Sequence, residues 1–183
     1  ERLSYKTFAE VFIDGKELNV ALLAGANGPE VLPPSWIEFV NYPEKKPKIV
    51  GYEAKWEEDS FEFQNTQRSF FFDREEEALL KKVKEIARRC WEIFGLRGYA
   101  RVDFRVDPLG NPYVLEINAN PCISPNSGFC ASLKEEDIEF KDAVNRIIDD
   151  RVTYSKNNGT KNARQKNHKN IMTEAITTIE NAV

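Results

Sequence analysis

The sequence predicts an α+β domain with a largely antiparallel sheet packed on helices. Three observations carry that expectation. Period-two apolar alternation recurs in short runs bounded by turn residues, which marks strands. One long amphipathic stretch with both ends capped marks a helix among them. The resulting order, β-β-β-loop-α-β-β-α, has neighbouring strands joined by short turns, as antiparallel pairing requires.

Lys6–Ile13 and Glu17–Ala24 are two β-rich runs around Asp14-Gly15, a hairpin signal. Ser35–Val40 is a further short strand. Residues 41–70 show no clean period and read as a long loop, which in a compact domain is usually functional. Asp73 opens a helix: Asp73 and Glu76 have capping-box spacing, and Gly95 suits the position just past its end. Leu79, Leu80, Val83, Ile86, Ala87, Cys90 and Phe94 fall on its inner face. Tyr99–Asp107 and Pro112–Asn118 form a second hairpin joined by Pro-Leu-Gly-Asn. A short irregular loop follows over Ala119–Ser127. Asp137–Val152 is the final amphipathic helix, with Phe140, Val144, Ile147 and Ile148 inward.

Composition narrows the function classes. The chain has 183 residues, 41% of them hydrophobic, so it can bury a core. Twenty-six basic against 30 acidic side chains leave a net charge of −4, unlike a general nucleic-acid binder. No run is long and apolar enough to suggest a membrane span, and the N-terminus lacks a signal-peptide pattern. Cys90, Cys122 and Cys130 are an odd count with no C-x-x-C, which fits reduced thiols and a cytoplasmic setting. The lone His168 makes a histidine-based metal or proton-relay site unexpected. Residues 155–170 are rich in Asn and Lys and read as a polar, basic linker; 171–183 read as a short C-terminal helix or the end of an absent element. Residue 1 is Glu and the sole methionine is Met172, so the chain reads as part of a longer one.

The 99–118 hairpin holds the chemistry. Arg101, Asp103, Arg105 and Asp107 share one face, opposite Ala100, Val102, Phe104 and Val106. On the second strand, Tyr113, Leu115 and Ile117 alternate with Val114, Glu116 and Asn118. With Pro108–Asn111 as the loop, Asp107 faces Pro112. Asp103 then lies opposite Glu116, and Arg101 opposite Asn118. Two opposed carboxylates repel and need a cation. A hard divalent ion, with Asn118 adding a neutral oxygen, answers that need; few protein oxygens plus phosphate suit Mg²⁺. Arg101 would clamp phosphate or stabilise an oxyanion. Alternation by itself favours a solvated face laced with cross-strand salt bridges. Glu-x-Asn followed by a Pro-rich loop shifts the balance without settling it.

Residues 98–107 (GYARVDFRVD) and 110–121 (GNPYVLEINANP) resemble the metal-binding end of the ATP-grasp superfamily, most closely its D-alanine–D-alanine ligase branch. Residues 10–18 (EVFIDGKEL) are similar to that family's adenine hinge and ribose segment, and 51–56 (GYEAKW) to its mobile loop over the phosphates. The resemblance covers roughly residues 6–152 and implies that 1–154 are the C-terminal ATP-grasp catalytic domain. The fold is then incomplete, its N-terminal substrate domain and small subdomain missing or partial. Glu10 would meet the adenine amino group, with Phe12 and Ile13 lining the base. Glu17 would bind ribose hydroxyls, and Lys55 would reach the phosphates. Asp103, Glu116 and Asn118 would hold two Mg²⁺ ions, with Mn²⁺ a substitute. Arg101 would stabilise the acyl-phosphate or tetrahedral oxyanion, and Ser127 would bind the second substrate's carboxylate.

The implied function is an ATP- and Mg²⁺-dependent carboxylate–amine ligase working through an acyl phosphate. Related amino-acid or dipeptide ligases, and a non-catalytic nucleotide–Mg²⁺ module of the same fold, are the alternatives. The implied partners are small amino-acid or peptide substrates and the N-terminal portion of the same enzyme, with a homodimer as an open assembly state and neither nucleic acid nor membrane. Three positions depart from the family pattern. Cys122 stands where glycine is usual, Trp56 where tyrosine is common, and Gly128 where an apolar residue is usual. They leave the substrate open.

Overall fold

A computed structural model describes residues 9–158 of the chain. Six strands and five helices are assigned there: β1 (Lys16–Gly25), β2 (Gly28–Val31), β3 (Ser35–Phe39), α1 (Tyr52–Trp56), α2 (Phe61–Gln64), β4 (Thr66–Ser69), α3 (Glu77–Phe94), β5 (Tyr99–Val106), β6 (Pro112–Asn118), α4 (Gly128–Glu135) and α5 (Phe140–Asn158). All strands lie in one antiparallel sheet of order β4-β3-β1-β5-β6, with β2 also on β1. The predicted α+β class is what forms.

The long strand β1 organises the sheet. Its residues from Lys16 to Leu23 pair with β5. On its other edge, Glu17–Asn19 pair with β3 and Leu22–Gly25 with β2. This filled edge explains a correction. Residues 9–13 form no strand, and 6–8 lie outside the described residues. Asp14-Gly15 is therefore not a hairpin turn. Gly15 is required for another reason: φ is +138°, and a Cβ there would come within 2.0 Å of the Val106 carbonyl oxygen. The true hairpin follows β1, where Ala26-Asn27 connect Gly25 to its partner Gly28.

The two faces of the sheet are covered differently. Leu18, Val20, Leu22 and Ala24 of β1, with Ala100, Val102, Phe104 and Val106 of β5, pack against Val83, Ile86, Ala87, Cys90 and Trp91 of α3. The helix starts as expected: the Asp73 N–H donates to Glu76 Oε2 at 3.0 Å in a capping box, and a 3₁₀ turn over Arg74–Glu76 leads into it. It ends on left-handed Gly95. Phe94 is exposed and Trp91 takes its expected place inside. Burial pushes the Cys90 thiol up to about 11, so it is a neutral core residue.

The opposite face is only half covered. Ala21 and Leu23 lie beneath Phe129, Cys130 and Leu133 of α4 and Ala143 of α5. Helix α4 was not foreseen. On α5, Ala143 and Ile147 face inward while Phe140 and Ile148 are exposed, a rotation from the expected face. The helix also begins at Phe140 rather than Asp137 and continues to Asn158, past the expected helix end at Val152. Polar composition specifies a solvated surface, and no Gly or Pro interrupts the helix before Gly159. The rest of the linker and the 171–183 helix lie outside the described residues. No helix among the described residues is long and apolar enough to cross a membrane.

The loop expected at 41–70 contains α1, α2 and the edge strand β4. Ser60 caps α2 by accepting from the Phe63 N–H at 3.0 Å. Lys46 pairs with Glu62 and lies over the Tyr42 and Phe61 rings, which ties the segment before α1 to α2.

Candidate functional site

The half of the second sheet face that α4 and α5 leave free of helix gathers the polar side chains that the strands carry inside otherwise apolar runs, most of them buried. Cross-strand pairing puts Ser35, Asn19, Asp103 and Glu116 in one row over four strands. The row on one side holds Ala21, Arg101 and Asn118. The row on the other holds Ile37, Glu17, Arg105 and Tyr113. Asp103 thus lies opposite Glu116 and Arg101 opposite Asn118, as expected.

The route to that register differs from the expected one. Val106, not Asp107, faces Pro112, and the register shifts at Asp103/Phe104 to restore the pairing. Leu115 is the extra residue of this β-bulge. It lets Val114 and Ile117 both reach the core while Leu115 itself is exposed. Asp107 is freed to build the turn. Its Oδ1 accepts from the N–H groups of Leu109 at 2.9 Å and Asn111 at 2.8 Å. These bonds hold its carboxyl below the usual range.

The carboxylate row is partly neutralised by protein. Arg101 donates through Nε to Asp103 Oδ1 at 2.6 Å and through Nη2 to Oδ2 at 2.7 Å. Desolvation pulls the Arg101 pKa down, but the bonds to Asp103 and the charges of Asp103, Glu116 and Glu17 outweigh it and raise it. Expected as an oxyanion group, Arg101 here clamps Asp103. Burial, then the Asp103 charge, raises the Glu17 pKa, against Arg105, Lys55 and Arg101. The Lys55 charge is thus felt at Glu17, although Lys55 is exposed on α1.

The donor set fits Mg²⁺. Asp103, Glu116 and Asn118 offer only oxygens, and Asn118 Oδ1 takes one hydrogen bond from the Asn120 N–H at 2.9 Å, leaving its second lone pair. No group of three acidic, His or Cys side chains arranged to hold a metal is found among the described residues. A Mg²⁺ ion held here would take its remaining ligands from water and phosphate, as that ion commonly does. Asn19, in the same row, is buried and its Nδ2 has no hydrogen-bond partner. An unmatched donor beside carboxylates suits an acceptor brought by a ligand.

Next to Arg101 stands the N-terminus of α4. Ser127 caps it, its Oγ accepting from the Cys130 N–H at 3.3 Å, so its own hydroxyl proton remains to donate. A Cβ on Gly128 would lie 3.3 Å from Arg68 Nε and 3.6 Å from Arg101 Nη1. A side chain at this position would crowd Arg68 and make ordinary contact with Arg101, so both guanidiniums lie against the start of the helix. Desolvation and the Arg101 charge lower the Arg68 pKa. The sequence reading missed Arg68, which sat in a presumed loop with no pattern to mark it. It also passed over Asn19, whose signal was present: it is the one polar residue within Leu18–Ala24.

Glu10 and Phe12 are exposed on the segment before β1, with Ile13 half-buried beside them. Cys122 lies exposed on the loop after β6. Its hydrogen bond to Ser124, with the Arg101 charge adding to it, lowers its pKa. Iodoacetamide at neutral pH is therefore expected to label Cys122 first in the native protein, with the buried Cys90 and Cys130 reacting only on unfolding. Peptide mass spectrometry checks this; equal labelling of Cys130 would contradict it.

A family model described as D-ala D-ala ligase C-terminus matches residues 2–149. The chain is 36% identical over 140 residues to the D-alanine–D-alanine ligase of Carboxydothermus hydrogenoformans, covering 76% of this chain and 41% of that protein. It spans about two fifths of the length of the curated relatives it matches. Two solved structures share its fold. One is the D-alanine–D-alanine ligase of Bacillus anthracis complexed with ATP (TM-score 0.58, 21% identity, 80% of this chain and 41% of that one). The other is that of Coxiella burnetii (TM-score 0.60, 19% identity, 92% and 38%).

Proposed function

The chain belongs to the D-Ala–D-Ala ligase C-terminus family, and from that membership we propose that it forms the nucleotide and metal half of an ATP-dependent carboxylate–amine ligase. The observation that carries the reading is the sheet face itself. Glu17, Asp103, Glu116 and Asn118 converge there, with Arg101 and the Ser127-capped helix beside them.

In this reading a substrate carboxylate oxygen attacks the γ-phosphorus of ATP. The bond to ADP breaks and an acyl phosphate forms. An amine then attacks the acyl carbon, a proton leaves the nitrogen, phosphate departs and an amide remains. Glu17 accepts hydrogen bonds from the ribose, and Glu10, Phe12 and Ile13 line the base. Lys55 meets phosphate from α1. Arg101 turns from Asp103 toward the oxyanion, where a guanidinium acts most strongly away from water. Ser127 and the α4 N-terminus orient the second substrate's carboxylate. Asp103, Glu116 and Asn118 would hold Mg²⁺, which would supply charge neutralisation for the transferred phosphoryl group.

Arg68 places a second cation at the α4 N-terminus beside Arg101, and Cys122 places a side chain on the loop next to it, so the second substrate is to be read from the amino acids that the enzyme accepts. The test is phosphate release from ATP by the full-length protein, amino acid by amino acid, with hydroxylamine to trap the acyl phosphate as a hydroxamate. Release that needs both carboxylate and amine supports the ligase. Binding of Mg²⁺·ATP without turnover for any pair would instead support a non-catalytic nucleotide module.

A further inference from the structure

Arg105 is the most heavily engaged side chain on the sheet face, and the proposed reaction gives it no task. It is 4% exposed on β5, two residues beyond Asp103. Its Nε donates to the Ile13 carbonyl at 3.0 Å, its Nη2 to the Gly15 carbonyl at 3.1 Å and its Nη1 to the Lys48 carbonyl at 2.9 Å. Nη1 is also 4.0 Å from Glu17 Oε2, and the Phe12 ring lies 5.2 Å from Cζ.

The acceptors are informative. Residues 9–14 have no regular structure, and the bond to the Ile13 carbonyl is their only hydrogen bond among the described residues. Lys48 belongs to the separate irregular segment that leads into α1, which carries Lys55. A buried guanidinium with one distant carboxylate is costly unless its donors are satisfied. Here main-chain carbonyls from two segments outside the sheet satisfy them, one of them with no other hydrogen bond among the described residues. A planar fork with five donors can hold three acceptors in fixed directions, which an ammonium cannot.

We propose that Arg105 is the positioning residue of the nucleotide edge: it fixes the segment carrying Phe12 and Ile13, and the root of the Lys55 helix, in register with Glu17. The assignment rests on the nucleotide reading above and adds a residue to it.

The test compares wild-type protein with Arg105→Met and Arg105→Lys in calorimetric titrations with adenosine and with Mg²⁺·ATP, alongside limited trypsin digestion and thermal melts. Both variants are expected to bind adenosine and Mg²⁺·ATP about tenfold more weakly. Both should be cut faster at Lys48–Ile49, whose carbonyl is no longer held, while the melting transition stays cooperative. Restoration of affinity by Arg105→Lys would show that charge on Glu17, not the tether, is what matters, and would overturn the assignment. So would wild-type affinity in Arg105→Met, which leaves the nucleotide reading standing. Loss of the cooperative transition in both variants would mark a general structural role and overturn it too. Wild-type protein that binds neither ligand would sink the nucleotide reading and this assignment together.

Discussion

Arg101→Met is expected to destabilise the protein by about 3 kcal/mol, far more than its position near a solvent-facing site suggests. The reason is what it leaves behind. Asp103 is 3% exposed, and both of its oxygens are engaged by Arg101. Taking away one partner of a buried pair strands the other charge without solvent, and that loss exceeds the net worth of the pair. Asp103→Asn is expected to cost less, since the Arg101 side chain keeps 17% of its exposure and some water. The double variant should then be more stable than the two single costs predict, by about 2 kcal/mol. Urea unfolding of the four proteins measures the cycle. A cost below about 1 kcal/mol for Arg101→Met would mean that the pair behaves as a surface salt bridge, with Asp103 neutralised some other way.

This pair also shows what the sequence could and could not disclose. Alternation put Arg101, Asp103, Glu116 and Asn118 on one face, because period two is fixed by strand geometry. Their register came out right through two offsetting departures. Asp107 left the ladder to build the turn, and the Leu115 bulge took the residue back. Alternation carries no mark of a bulge, since Tyr113-Val114-Leu115 reads as an ordinary apolar run. The Asp14-Gly15 hairpin failed for a related reason. A turn dipeptide reports that the backbone can reverse, not that a free strand edge awaits it, and β1 has both edges filled by β2, β3 and β5. Arg68 was beyond reach. Its role comes from an edge strand of four polar residues and from a glycine sixty positions away, and neither has a local signature. The α3 core was readable because its caps and its 3.6-residue period agreed.

Glu116→Gln should separate function from folding in the opposite direction. Glu116 is exposed and directly faces Asp103, so like charges meet across the strands. Removing one is expected to leave the unliganded protein as stable as the wild type, or a few tenths of a kcal/mol more stable. The effect belongs to the liganded state. Mg²⁺·ATP at about a hundred times its dissociation constant stabilises a folded chain by roughly 2.7 kcal/mol. For a domain of this size that is a rise in melting temperature of about 5–10 °C. In the wild type the rise should require Mg²⁺ and vanish with EDTA. In Glu116→Gln it should shrink to whatever the nucleotide gains without metal, and turnover should fall by roughly 10²–10³. An unchanged Mg²⁺-dependent rise in the variant would remove Glu116 from the metal site. A large drop in the melting temperature of the unliganded variant would mean that Glu116 holds the hairpin together instead. Glu116 also faces the Arg101 guanidinium, but Arg101 already holds a bidentate pair with Asp103, so a loss confined to the metal-dependent gain would mark Glu116 as a ligand rather than as a structural partner.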